Sequence, residues 1–365
     1  MTYPETIDAL GVVDYDKWPV PSKFSYKPRE FRENDVDIQI DACAICGSDI
    51  HAAKGGWGRP YAPVAVGHEI IGKVVKVGSK ASSNFKIGDR VGVGARCFYC
   101  QNCDACDRGF ENNCENKVST YFGVDKESGV PTQGGDASHI RVDGHMVFHI
   151  PDSLETNEAA PLLCGGITGF APLLDNNVTK GTKIGIVGVG GIGHMAIQFA
   201  KALGAEVTAI SRTRSKEEDA KKLGATHFVA SGDPESMKEH KGTLDIILNT
   251  SSSLSQSAID PLVTLLRARG TIALISFPPA DEKIELSAPT LLLPNLTVKG
   301  SALGTPEQTQ YMLNFAAEHN IKPWVETFDI NEKNLSDAWV HVESGKVRYR
   351  AVMTGFDKFF GDSRQ

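Results

Sequence analysis

KIGIVGVGGIGHMAIQFAKAL, Lys183 to Leu203, is the stretch that decides the fold. It opens on a short apolar run, Lys183 to Val187, that reads as a buried strand. Gly188, Val189, Gly190, Gly191, Ile192 and Gly193 then fit G-x-G-x-x-G. Beyond them Ile192, Met195, Ala196, Phe199, Ala200 and Leu203 fall on one face of a helix. Glycines between a strand and a helix allow a tight turn and the close approach of a pyrophosphate. The helix N-terminus offers that anion free N–H groups and the positive end of a dipole. The stretch predicts the first strand and helix of a dinucleotide-binding domain.

Reading outward, Glu206 to Ile210 is the next strand and Ser215 to Leu223 a charged helix ended by Gly224. His227 to Ala230, Leu244 to Asn249, Thr271 to Ser276 and Leu296 to Gly300 bring the count to about six strands of a doubly wound parallel sheet. Leu154 to Ala171 is expected to be helical. Before about Pro151 the texture differs. Asp35 to Asp41, Val64 to Gly78, Gly88 to Val93 and Gly134 to His149 carry strand patterns, which predict an antiparallel β domain with inserts. From about Pro306 a helix is expected, then strands at Val325 to Phe328 and Arg348 to Met353. The fold class is α/β with a separate β-rich domain.

The second strand also bears on the cofactor. An NAD site usually carries an acidic residue about 20 residues past the glycine loop, for the ribose 2′-hydroxyl. Here Ser211, Arg212, Thr213, Arg214, Ser215 and Lys216 follow the strand, with no carboxylate before Glu217. Hydroxyls and cations suit a 2′-phosphate through charge-assisted hydrogen bonds, so NADP(H) is expected.

The chain has eight cysteines, none beyond Cys164. In a reducing compartment such clusters read as metal sites before disulfides. Cys97, Cys100, Cys103, Cys106 and Cys114 form the densest run. Four thiolates make a structural zinc site, so one of the five is spare. The bacterial iron–sulfur run C-x2-C-x2-C-x3-C-P is a rival that fails at its last gap, where Asp107 follows Cys106. A polar loop as long as Arg96 to Thr120 is unusual without a metal to hold it. Cys46, His68 and Cys164 lie far apart in sequence. Together they supply a Cys2His set, the pattern of a catalytic zinc with an open fourth position.

These motifs converge. Cys46-Gly47-Ser48-Asp49-Ile50-His51, Gly67-His68-Glu69, the cysteines at 100, 103, 106 and 114, Pro161 to Gly166, the glycine loop, the Ser211-Arg212 turn and Val347 to Arg350 stand in order along nearly the whole chain. The sequence resembles the zinc-dependent medium-chain dehydrogenase/reductase family, in particular its cinnamyl alcohol dehydrogenase branch with the yeast-type NADP-dependent alcohol dehydrogenases. The resemblance implies a GroES-like catalytic domain, residues 1–158 and 302–365, interrupted by a Rossmann NADP-binding domain, residues 159–301. It implies two zinc ions per subunit. Cys100, Cys103, Cys106 and Cys114 match the structural ligands, leaving Cys97 and Cys43 as non-ligands. Cys46, His68 and Cys164 match the catalytic ligands, and Glu69 a carboxylate that can ligate transiently. Ser48 and His51 match a proton relay that runs through the nicotinamide ribose hydroxyl. Thr168 and Arg348 join the glycine loop, Ser211, Arg212 and Lys216 as cofactor-binding positions. The implied reaction is hydride transfer between NADPH and aromatic or aliphatic aldehydes, cinnamaldehyde being the type substrate. Trp57, Phe98, Tyr121 and Phe277 lie near motif residues and are read either as walls of an apolar pocket or as core.

Composition sets the frame. The 365 residues are 41% hydrophobic and 23% charged with net charge −7, which excludes disorder and fibres and argues against a nucleic-acid partner. No run reaches a membrane span, and the acidic N-terminus lacks a signal h-region; a cytoplasmic protein is expected. The last strand, Leu296 to Gly300, would be an open edge that invites pairing, so a homodimer is expected. A zinc-independent quinone reductase would lack Cys46, His68 and Cys164. A non-enzymatic derivative would have lost zinc ligands or the relay pair. A polyol (sorbitol-type) dehydrogenase is the runner-up, and Ser211 and Arg212 argue against it.

Overall fold

The computed structural model describes residues 3–251, 254–276 and 283–361. The chain folds as two compact units: Met1–Cys164 with Thr305–Ala317 and Pro323–Gln365, and Gly165–Gly304 with Glu318–Lys322.

The second unit holds a six-stranded sheet. Its order is His227–Ala230, Glu206–Ser211, Lys183–Val187, Leu244–Asn249, Leu266–Leu274, Thr297–Gly300, and every pair is parallel. Ile184, Ile186, Val207, Ile247 and Ile272 are fully buried, as expected for strands covered on both faces. The strand order reverses between Lys183–Val187 and Leu244–Asn249, and ligands of such sheets bind outside the carboxyl ends of strands at that switch. The Gly193–Ala202 helix buries Met195, Ala196, Phe199 and Ala200. It packs on the Gly165–Asp175 helix so closely that a Cβ on Gly169 would sit 3.2 Å from that of Ala196.

The first unit is built on a seven-stranded sheet. Its path runs Val325–Asp329, Arg350–Thr354, Asp35–Ile45, Ile70–Val77, Arg90–Val93, Val147–His149, with His139–Asp143 also paired to Asp35–Ile45. The Arg350–Thr354 strand pairs antiparallel with Asp35–Ile45, so the C-terminal segment completes the N-terminal sheet. Val36, Ile38, Ile40, Ile70 and Val91 form the centre of its core, where Trp339 is 1% exposed and stacks on Trp18 at 5.3 Å. Among the described residues no helix is long and apolar enough to cross a membrane.

Three local expectations are corrected. The Val64 to Gly78 run is not one strand: the ladder starts at Ile70, because Gly67, at φ +96°, turns the chain just before it. The Leu154 to Ala171 helix is broken. A short helix, Thr156–Ala159, and a tight turn, Ala160–Leu163, end at Cys164 in a non-helical conformation, and Gly165–Asp175 begins afresh. Its sulfur reaches a cluster of other side chains, a tertiary constraint that periodicity does not register. After Ser211 the chain makes a tight turn over Arg214–Lys216, so the helix begins at Glu217.

Candidate metal centres and cofactor cradle

Two sets of ligand-type side chains come together: Cys100, Cys103, Cys106 and Cys114, and Cys46, His68, Glu69 and Cys164. In each, the ligand atoms lie within 4.8 Å of one another. In the first set the sulfur separations are 3.6 Å for Cys103–Cys106, 3.8 Å for Cys103–Cys114 and 3.5 Å for Cys100–Cys114. A tetrahedron of sulfurs ~2.3 Å from a zinc has edges of about 3.8 Å. The space therefore suits one ion and is too small for a cluster of several irons. Backbone N–H groups of Cys100 and Asn116 point at the Cys114 sulfur. Hydrogen bonds from Asn102 and Asn116 draw the Cys100 thiol down to about 6, which favours the thiolate a metal needs. Cys97 stays outside. Its thiol faces the Val118 and Ser119 carbonyls, and burial pushes it up to about 12. Cys43 is likewise a buried thiol, packed where a Cβ on Gly67 or Gly135 would stand 2.7 Å from its sulfur.

The second set is wholly buried. Cys46 precedes the Gly47–Ala53 helix, and Asp49, in that helix's first turn, accepts from the Cys46 N–H at 2.7 Å. Asp49 also accepts from the Gly67 N–H at 3.1 Å and stands 2.7 Å from His68 Nδ1. This contact fixes the ring so that Nε2 is left for a metal. Burial pushes His68 down, but the Asp49 charge and hydrogen bond outweigh it and hold it well above its usual value. The same carboxylate makes the imidazole a stronger donor to a cation. The Cys46 and Cys164 sulfurs act on one another, which draws the Cys46 thiol well down and pushes Cys164 well up. Two sulfurs thus compete for one proton that a divalent cation would replace. Glu69 is paired with the Arg350 guanidinium. Two thiolates, an imidazole and a carboxylate in a dry setting are donors that fit zinc.

Ser48 and His51 lie on the same short helix, one turn apart and so on one face. The Ser48 hydroxyl is 3.5 Å from the Cys46 sulfur. The His51 ring packs on Trp57 at 4.6 Å, and its Nε2 is buried with no hydrogen-bond partner among the described residues. A Cβ on Gly56 would lie 2.5 Å from that ring. Tyr121 is buried with its ring 5.6 Å from His68. Phe98 instead lines a cavity of about 530 Å³ with Arg29, Arg32, Cys97 and Asp125, whose wall includes none of Cys46, His68 or Cys164. Phe277 lies outside the described residues.

In the second unit the glycine loop joins strand to helix. Gly188 has φ +90°, and a Cβ on Gly193 would strike the Gly188 carbonyl at 1.8 Å, so neither position takes a side chain. A Cβ on Gly190 would meet open space, the volume a pyrophosphate needs. Lys216 donates to the Val189 carbonyl at 2.8 Å, which holds this cation beside the loop. Ser211 ends its strand. Arg212 is exposed and forms no ion pair among the described residues. Thr168 is buried in the Gly165–Asp175 helix. Arg348 belongs to the first unit, where it is exposed and lies 5.4 Å over the Tyr349 ring.

Sequence reasoning quoted Asp49 and Arg350 inside motifs without giving either a role. The signal for Asp49 was its position three residues after Cys46, the capping-box spacing. For Arg350 no local signal exists, because its partner Glu69 is 281 residues away.

Comparison with known proteins agrees with this geometry. Residues 32–152 match an alcohol dehydrogenase GroES-like domain and residues 191–318 a zinc-binding dehydrogenase domain. The chain is 41% identical to NADP-dependent alcohol dehydrogenase 6 of Saccharomyces cerevisiae, over 99% of this chain and 100% of that protein. It resembles the structure of a cinnamyl alcohol dehydrogenase from Sorghum bicolor at TM-score 0.89 and 36% identity, covering 96% of this chain and 97% of the other. It resembles the CAD of Helicobacter pylori, solved with NADP(H), at TM-score 0.87 and 33% identity, covering 96% and 98%.

Proposed function

Because the chain belongs to the zinc-binding medium-chain dehydrogenase family, as a zinc- and NADP(H)-dependent alcohol dehydrogenase, we propose that it reduces aromatic and aliphatic aldehydes of the cinnamaldehyde type, with Ser48 and His51 moving the proton. The observation that carries this reading is the buried convergence of Cys46, His68, Glu69 and Cys164 within 4.8 Å. The pairing of Glu69 with Arg350 supports a three-donor site whose fourth position is kept for substrate.

When bound, zinc polarises the substrate carbonyl as a Lewis acid and NADPH supplies the hydride. Asp49 orients His68 and steadies the loop at Gly67. Ser48 can accept and donate a proton at once, which a relay requires, and its place beside Cys46 sets it next to the reacting oxygen. His51, one turn on, carries an imidazole that can take up and release that proton, and its Nε2 has no competing partner among the described residues. Trp57 against His51 and Tyr121 against His68 offer aromatic walls for an apolar substrate. Gly188, Gly190, Gly191, Ile192 and Gly193 hold the pyrophosphate. Lys216, Ser211 and Arg212 receive the 2′-phosphate.

The test is cinnamaldehyde reduction by NADPH on protein dialysed against a chelator and then re-supplied with zinc. Activity lost and then restored is the expected result. Full activity in zinc-free protein would remove the metal from the reaction.

The same reading places the chain in the cytoplasm, where its eight free cysteines remain reduced, and makes it a homodimer. Among the described residues Thr297–Gly300 has a single ladder neighbour, and Leu292 and Leu293 before it are 68% and 82% exposed. An edge and an apolar patch together invite a second copy. Light scattering should give twice the 39.4 kDa chain mass; a dilution-independent monomer would contradict it.

A further inference from the structure

The turn after the second Rossmann strand carries three hydroxyls, and one of them stands apart. Ser215 has Arg212 three residues before it, Arg214 one before and Lys216 one after. Ser211 and Thr213 have Thr208 and Ile210 at the position three before. Protein kinases choose substrates partly by charge pattern, and one large class reads arginines on the amino side of the acceptor hydroxyl. Of the three, Ser215 alone answers that description.

The fold presents this hydroxyl openly. The Ser231 N–H donates to the Ser211 carbonyl at 2.8 Å and the Gly232 N–H to the Arg212 carbonyl at 3.1 Å, which anchors the start of the turn. Beyond that anchor Arg212, Thr213, Arg214 and Ser215 are all exposed. The Ser215 hydroxyl lies 3.0 Å from that of Thr213. Lys216 reaches back to the Val189 carbonyl of the glycine loop at 2.8 Å, so the turn and the loop form one surface. Arg214 pairs with Glu217 at 3.0 Å and approaches Asp233 at 4.0 Å, while Lys221 also holds Glu217 at 2.9 Å. Exposed ion pairs of this kind are weak and exchange readily. A phosphate carries more charge than a carboxylate and offers three strong acceptor oxygens, so it competes well for the same guanidinium.

We propose that Ser215 is a phosphorylation site for an arginine-directed protein kinase, and that its phosphate captures the cations that otherwise receive the cofactor's 2′-phosphate. Modification then shuts off the use of NADPH and spares the use of NADH. This rests on the reading above of Ser211, Arg212 and Lys216 as the 2′-phosphate site. In the step itself the Ser215 oxygen bonds to the γ-phosphorus of ATP. The bond from that phosphorus to its bridging oxygen breaks, ADP leaves, and the hydroxyl proton passes to the kinase's catalytic carboxylate. The product adds about 1.5 to 2 negative charges to the turn. Arg212, Arg214 and Lys216 are the cations beside it in sequence, and a second phosphate arriving on the cofactor would meet both a filled site and a like charge.

The experiment incubates zinc-replete protein with ATP, magnesium and the catalytic subunit of cyclic-AMP-dependent protein kinase, then desalts it to remove the nucleotides. Peptide mass mapping should find phosphate on Ser215 and none at position 215 of Ser215→Ala. Cinnamaldehyde reduction by the phosphorylated protein should lose about ten- to a hundred-fold in kcat/KM for NADPH, through KM, the scale of one or two hydrogen bonds to a charged group. With NADH the value should stay as it was. Kinase treatment should leave the NADPH kinetics of Ser215→Ala where they stood before treatment. Saturating NADPH should also slow phosphate incorporation, because such coupling is reciprocal. No phosphate at Ser215 overturns the site. Fully phosphorylated protein with unchanged NADPH kinetics, or with equal losses for both cofactors, overturns the competition. Ser215→Glu gives a second route that needs no kinase: its KM for NADPH should rise while that for NADH does not, and an unchanged KM counts against the proposal. If the unmodified protein shows no preference for NADPH over NADH, the 2′-phosphate reading fails and the proposal with it. A preference that survives phosphorylation defeats Ser215 alone.

Discussion

Cys164→Ser should lower kcat/KM for NADPH-dependent cinnamaldehyde reduction by about a thousand-fold or more, because Lewis-acid stabilisation is worth several kcal/mol. Bound zinc should fall from two ions per chain to one, since two donor sets exist and only one is damaged. The size of the effect follows from the geometry. Cys164 is one of the buried donors that converge with Cys46, His68 and Glu69, and a hydroxyl in its place keeps its proton where a thiolate would bind metal. The backbone at this position is already non-helical and ends a tight turn, so the change leaves the surrounding elements in place. Asp49→Asn should be milder, costing about ten- to a hundred-fold in zinc affinity, because it disturbs the orientation of His68 without removing a donor. Metal analysis with steady-state kinetics checks both. A Cys164→Ser protein with two zinc ions and ordinary turnover would place the chemistry elsewhere.

Cys103→Ser should act on stability first. The segment from Cys100 to Lys117 contains one four-residue helix, Asp104–Asp107, and one short turn, Glu111–Asn113. Cys114 is the one buried side chain between Cys100 and Lys117. Such a segment has no apolar core of its own and depends on its cross-link. Structural zinc binding in small peptides is worth about 10–16 kcal/mol, comparable with the whole stability of a domain at about 5–15 kcal/mol. Losing one of four thiolates should release the ion, lower the melting temperature by several degrees and open the segment to proteolysis. Scanning fluorimetry and limited digestion read both. An unchanged melt with an uncut 100–117 segment would show that the thiolates do not hold it.

Much of this was legible in the sequence, for identifiable reasons. The glycine loop and the 192–203 stripe encode a turn and a period, both local, and they announced the parallel sheet. The x2 spacings of Cys100, Cys103 and Cys106 are local too. The second metal set was different. Cys46, His68 and Cys164 come from a helix start, a glycine turn and a break between helices, and no spacing rule joins them; the resemblance assembled what periodicity could not. The interrupted helix at Cys164 and the late start of the Ile70–Val77 strand were hidden because side-chain convergence overrode local preference there. Phe98, read from its neighbouring motif residues as pocket wall or core, lines the cavity beside Arg29. Arg350 was silent for the same reason: a charge is defined by what folds against it.

Cinnamaldehyde reduction on zinc-replete protein, with NADPH and NADH compared side by side, reads the metal, the cofactor and the reaction at once. Strong turnover is expected with NADPH and at least about ten-fold lower kcat/KM with NADH, the scale of charge-assisted hydrogen bonds to a 2′-phosphate from Ser211, Arg212 and Lys216. Preference for NADH would contradict that cofactor assignment, and no turnover with either would contradict the reductase itself.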